Sequence, residues 1–233
     1  MSEMAAPGPT WLDLYDYRHR VARIYWEREA ALRAGEDEQK TWERWRAQRD
    51  ALFARHPQSA LGLEERERFS GLRYFPYNPA LRLEATLEPE TVEEEQTLEA
   101  SGTHAMRFRR AGLARFTLEG ASLQLVVYWI DVYGGGLFLP FRDATCGRES
   151  YGGGRYLFDT VKGSDFVSLD AGAGDAAQAA REMGYQGGRI LLDFNYAYNP
   201  SCAYDARWVC PLAPNENRLP VAIRAGELAF HQP

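Results

Sequence analysis

The chain has 233 residues, 45% of them hydrophobic, and a formal net charge of -6. That length and apolar content exclude general disorder and allow one domain, or a domain with a helical extension, around a real core. The acidic balance, with Lys40 and Lys162 as the only lysines, gives no basic stripe for nucleic acid.

The prevalence of arginine over lysine is read as compositional and given no functional weight. The N-terminus has no basic flank followed by an apolar core, and no run approaches ~18 apolar residues, so neither a secretory signal nor a membrane span is expected. A cytoplasmic location follows as the expectation, with Cys146, Cys202 and Cys210 as reduced thiols.

Residues 1–9 are small and rich in Pro and Gly and are expected to form a disordered tail. A helical arm over 10–70 follows. Thr10 offers an N-cap with Asp13 three residues on, and Leu14, Tyr17, Val21, Ile24 and Tyr25 recur at helical spacing up to Gly35. A second helix is predicted from about Asp37 to Ala54, stopping at His56 before Pro57, and a short one within LGLEERERF. The aromatic run GLRYFPYNPALR, held extended by Pro76 and Pro79, reads as a strap across the core.

From Leu81 the hydrophobic period changes from helical to alternating. LRLEATLE, HAMRFRR, GLARFTLE, SLQLVVYWIDVY, LFLPF, RYLFD, FVSLD, RILLDF and LPVAIRA all read as short strands, with Glu119-Gly120 as one turn. The fold class is therefore α+β and mainly antiparallel β: a barrel or sandwich over 71–233, preceded by the helical arm. The stretch AGAGDAAQAAREMGYQGG is an insertion expected to hold a short surface helix.

Chemistry concentrates in the second half. Tyr151-Gly152-Gly153-Gly154-Arg155 lacks the spacing of a phosphate loop and leads into a strand, so it reads as a turn. Arg155 and Tyr156 then take opposite faces of that strand. An inward Arg155 needs an acidic partner from Glu149, Asp143 or Asp193, either as a structural ion pair or as part of an anion site. Asp193 and Asn195 are two apart and share one strand face, and Arg224 faces away from Ile223. Cys202 and Cys210 lack metal-ligand spacing, and none of the four histidines is placed near them by sequence, so no metal or cofactor is expected and both cysteines read as small buried hydrophobes.

The stretches FSGLRYFPYNP, DATCGRESYGGGRYL, LDFNYAYNPSCAY and CPLAPNENRLPVAIRAGE resemble the signature of a bacterial family known as domain of unknown function 1684. The resemblance implies a β-rich domain with an N-terminal helical arm and no established activity. It places the family's pattern on Glu149, Tyr151, Gly154, Arg155, Tyr156, Asp193, Asn195, Tyr198, Asn199, Pro200, Cys202, Cys210, Pro211, Asn217, Arg224 and Glu227. This chain departs from it in the insertion before Arg189 and at Tyr196, where the resemblance implies arginine.

The leading functional expectation is a pocket in the β-domain that binds a small polar or anionic molecule through Arg155, Tyr156, Asp193, Asn195 and Arg224. An enzyme, a hydrolase or isomerase with Glu149 or Asp193 as general acid/base beside Arg155, is the second reading. A structural or interaction protein is the third.

Overall fold

The computed structural model describes residues 9–90, 95–98, 100–101, 106–165, 167–169 and 188–231. The predicted tail, apart from Pro9, and the predicted insertion helix lie outside the described residues.

Three helices open the chain: α1 (Trp11–Arg33), α2 (Glu38–Arg55) and α3 (Leu63–Glu67). The capping box at the start of α1 forms as its sequence predicts, with the Asp13 N-H donating to Thr10 Oγ1 at 3.2 Å and the Thr10 N-H to Asp13 Oδ2 at 2.7 Å. Asp37 caps α2 by accepting from the Lys40 N-H. The two long helices bury Val21, Ile24, Tyr25, Trp42, Trp45 and Leu52 together with Tyr196, so their shared core is completed by the later half of the chain.

The strands β1 (Arg82–Pro89), β2 (Glu95–Leu98), β3 (Met106–Leu118), β4 (Ala121–Ile130), β5 (Gly136–Phe141), β6 (Arg155–Asp159), β7 (Val167–Leu169) and β8 (Gly188–Asp193) form one sheet in the order β6-β5-β4-β3-β1-β8-β7, with β2 also on β3. All these pairings are antiparallel, and the sheet curls into a half-barrel. Met106–Arg110 of HAMRFRR and Gly112–Leu118 of GLARFTLE belong to the single strand β3, because a bulge between Arg110 and Gly112 resets the alternation without ending the strand.

One predicted strand is absent. LPVAIRA follows an isolated bridge between Arg142 and Arg218 and then forms no ladder. Leu219, Ile223 and Ala225 instead fill the apolar core with Phe116, Leu125, Phe141 and Phe194, so this space is packed rather than an open lumen. The aromatic strap lies against the end of the same segment: the Phe75 N-H donates to the Gly226 carbonyl and the Leu228 N-H to that of Arg73, both at 2.9 Å.

Candidate functional site

Arg155 is 0% exposed. Its partner among the three acids proposed from sequence is Asp143, whose Oδ1 accepts from Nη2 at 3.2 Å. The rest of the fork is spent on backbone: Nη2 donates to the Ile223 carbonyl at 2.9 Å, and Nη1 to the carbonyls of Ala225 and Glu227. Three alternate carbonyls of LPVAIRAGE thus point at one guanidinium instead of at a neighbouring strand, which explains why the period-2 pattern there makes no ladder. Burial depresses the Arg155 pKa and Asp143 opposes that shift.

The other residues chosen from sequence lie apart. Arg224 forms a two-toothed pair with Glu149 at 3.0 Å on the surface, beside an open groove of about 340 Å³. Tyr156 takes the face opposite Arg155, stacks edge-on against Phe138 and donates to the Pro211 carbonyl. Asn195 clamps the strap: its Oδ1 accepts from the Asn78 N-H at 2.8 Å and its Nδ2 donates to the Asn78 carbonyl at 2.9 Å, the pairing a strand neighbour would make. Asn217 does the same for Val126. Glu149, Arg155 and Asp193 thus engage three different partners: Arg224 on the surface, Asp143 in the core and Asn195 beside the strap.

Asp193 lines a cavity of about 20 Å³ with Arg28 and Tyr196. Where the resemblance implies an arginine at 196, the ring of Tyr196 carries the Arg28 guanidinium at 4.9 Å. Burial lifts the Asp193 pKa from 3.8 to about 6, against two hydrogen bonds from Asn195 and the more distant charges of Arg28 and Arg82. A folded pKa above the unfolded one means the native state holds the extra proton, so this carboxyl adds stability below about pH 4 that is lost as pH rises through about 6. Asp193→Asn should flatten that slope and stabilise the protein at pH 7 by on the order of 1–3 kcal/mol, as read from urea unfolding between pH 4 and 7.

The densest buried charge cluster centres on Glu227, which is 1% exposed. Its Oε1 accepts from Arg49 of α2 and from the Tyr74 hydroxyl, and its Oε2 from the Asn199 N-H and the Tyr204 hydroxyl. Burial works against the Arg49 charge, and Glu227 together with Tyr74, Tyr25 and Tyr204 outweighs it, so the net shift is upward. Gly226 precedes Glu227 as Gly154 precedes Arg155, each with positive φ, and a Cβ on either would stand within 2.6 Å of a backbone carbonyl oxygen. Both turns are restricted to glycine, and each turn is followed directly by a buried charge.

Beside Glu227 a cleft of about 50 Å³ opens between the helices and the β-domain, lined among others by Tyr17, Arg49, Lys162, Tyr198, Asn199 and Ser201. Asn199 is buried, its Nδ2 donates to the Leu228 carbonyl at 2.8 Å, and its Oδ1 has no hydrogen-bond partner. Lys162 pairs with Asp159 at 3.3 Å while its side chain remains 43% exposed. Burial opposes the ammonium charge, and Asp159 together with Cys210 and Tyr17 outweighs it, so the pKa is raised. Burial also raises the pKa of Tyr17, so its hydroxyl stays protonated. The cleft thus brings together two cations, Arg49 paired with Glu227 and Lys162 paired with Asp159, with hydroxyls and the unpartnered Asn199 acceptor. Sequence reasoning missed Tyr17, Arg49 and Lys162. The one signal in the sequence is the rarity of lysine.

A curled antiparallel sheet fronted by N-terminal helices, with buried charges fixing the C-terminal segment, defines an α+β half-barrel protein. The chain belongs to the family described as Protein of unknown function (DUF1684), whose model matches residues 67–228. It is also similar to an uncharacterized protein of Haloarcula marismortui solved in solution by NMR, with 34% identity and a TM-score of 0.55 over 82% of this chain and 93% of that one. No curated protein matches the chain. Among the described residues, no helix is long and apolar enough to cross a membrane, and no group of three His, Cys, Asp or Glu is placed to hold a metal ion.

Proposed function

We propose that the protein is a cytoplasmic small-molecule binder, and that its site is the cleft between the helices and the β-domain. The observation that carries this reading is the buried, unpartnered Oδ1 of Asn199 in a cleft that also presents Lys162 and Tyr17. Leaving a buried polar atom unpaired costs about 1–3 kcal/mol, and a ligand donor recovers that cost. Lys162 and Tyr17 suit an oxyanion, and Asn199 suits an O-H or N-H on the same molecule. At about 50 Å³ the cleft takes a compact ligand or the end group of a larger one. The fitting class is a small oxyanion that also donates a hydrogen bond, such as an α-hydroxy acid or hydrogen phosphate.

Thermal unfolding with a panel of such anions tests this. At a ligand concentration of 100 times Kd, the wild-type protein should gain about 2.7 kcal/mol, and Lys162→Met should lose most of that gain. Equal behaviour of the two proteins across the panel counts against the site.

A second reading, an interaction protein, is favoured by one observation. Trp11, Tyr15 and Trp26 are exposed along α1 on the stripe next to its buried face, an unusual concentration of apolar surface for one helix.

A further inference from the structure

Cys202 and Cys210 stand together although eight positions separate them. The Cys202 N-H donates to Cys210 Sγ at 3.4 Å, which sets the second sulfur against the backbone of the first cysteine. The Tyr151 hydroxyl lies 3.6 Å from Cys202 Sγ, and the Cys210 N-H is held by Ser101 Oγ at 2.9 Å. Cys202 is partly exposed, whereas Cys210 is buried behind it, and both are free thiols. One sulfur is therefore reachable with the Tyr151 hydroxyl beside it, and a second sulfur is held at the same residue's backbone N-H.

We propose that Cys202 and Cys210 form a redox couple, in which Cys202 reacts with a hydroperoxide and Cys210 resolves the product to an intramolecular disulfide. In the first step the Cys202 sulfur attacks one peroxide oxygen and the O-O bond breaks. The departing oxygen takes up the proton lost from the Cys202 thiol and leaves as water, or as an alcohol from an alkyl hydroperoxide. In the second step the Cys210 sulfur attacks the resulting sulfenic sulfur, the S-O bond breaks, and the hydroxide takes the Cys210 proton and leaves as water. Two thiols are oxidised by two electrons in total, and one peroxide is reduced.

The neighbouring Cys210 lowers the Cys202 pKa against the opposing effect of burial, with further help from Ser101 and Tyr151. A lowered pKa favours the thiolate, the form that attacks peroxide. Cys146 provides an internal contrast. Burial pushes its thiol up, and its sulfur faces the Asp143 carboxylate at 3.5 Å.

The full-length reduced protein treated with equimolar hydrogen peroxide should lose about 2 Da and yield a peptide cross-linked from Cys202 to Cys210, while Cys146 remains open to alkylation. Cys210→Ser should stop at the sulfenic acid, trapped on Cys202 by a cyclic diketone. Cys202→Ser should consume peroxide at least about tenfold more slowly than the wild type. Both serine variants change a single atom, and circular dichroism reports whether they fold. A folded wild-type protein that keeps all three thiols after treatment overturns the proposal on its own, whatever the variants do. So does a cross-link through Cys146, or a folded Cys202→Ser variant that reacts as fast as the wild type.

Discussion

Replacing Arg155 with methionine should lower the unfolding free energy by about 3–5 kcal/mol, the cost of leaving a buried ion without its counter-charge. The substitution keeps the bulk of the stem against Phe141 but removes the fork from Asp143 and from the carbonyls of Ile223, Ala225 and Glu227. Asp143 does not become bare, because Thr145 and the Ile223 N-H still donate to it, but its charge stays buried. Arg155→Lys should recover only part of the loss: an ammonium restores the charge and cannot reach three carbonyls and a carboxylate in one plane. Adding Asp143→Asn to the methionine variant should return stability, since the stranded charge is then gone. Urea unfolding of the four proteins checks this order, with unchanged slopes showing that stability alone has moved.

Glu227→Ala should cost a similar amount, about 3–5 kcal/mol, through the uncompensated charge left on Arg49. The Asn199 N-H and the hydroxyls of Tyr74 and Tyr204 also lose their acceptor. Arg49 stacks over Trp45 at 4.9 Å, so the same change should alter tryptophan emission from the helical region. Because Glu227 joins α2 to the C-terminal segment, Arg49→Met and Glu227→Ala should be strongly non-additive. The double variant should be no less stable than either single one, since no charge is then stranded. Additive losses in that cycle would mean that the two side chains act independently.

These two clusters also show what the sequence could and could not reveal. The capping box at Thr10 and Asp13 is local, and so is the change of period at Leu81; both appear in the structure where the sequence puts them. The strand β2 was missed because Glu95–Leu98 is a short piece of an acidic run with no alternation to read. LPVAIRA alternates as a strand should, and what diverts it is a guanidinium about seventy positions away. Asn195 looked like a site residue and Asn217 a turn residue, but each satisfies both backbone groups of a distant residue, a role that spacing alone cannot show. The motif-rich stretch from Thr145 to Glu227 therefore owes much of its composition to fixing an irregular C-terminal segment. The cleft takes Tyr156, Lys162, Asn199 and Tyr204 from that stretch and adds Tyr17 and Arg49 from the helices, where no motif marks them.

The most direct measurement is a titration of the isotope-labelled protein with hydrogen phosphate and with a small α-hydroxy acid, following amide shifts by NMR. The proposed site predicts saturable shifts at Tyr17, Lys162 and the Asn199 side-chain amide, with Asp193, Asn195 and Arg224 nearly still. Saturable shifts centred on Arg224 or Asp193, with Lys162 and Asn199 unmoved, would contradict it.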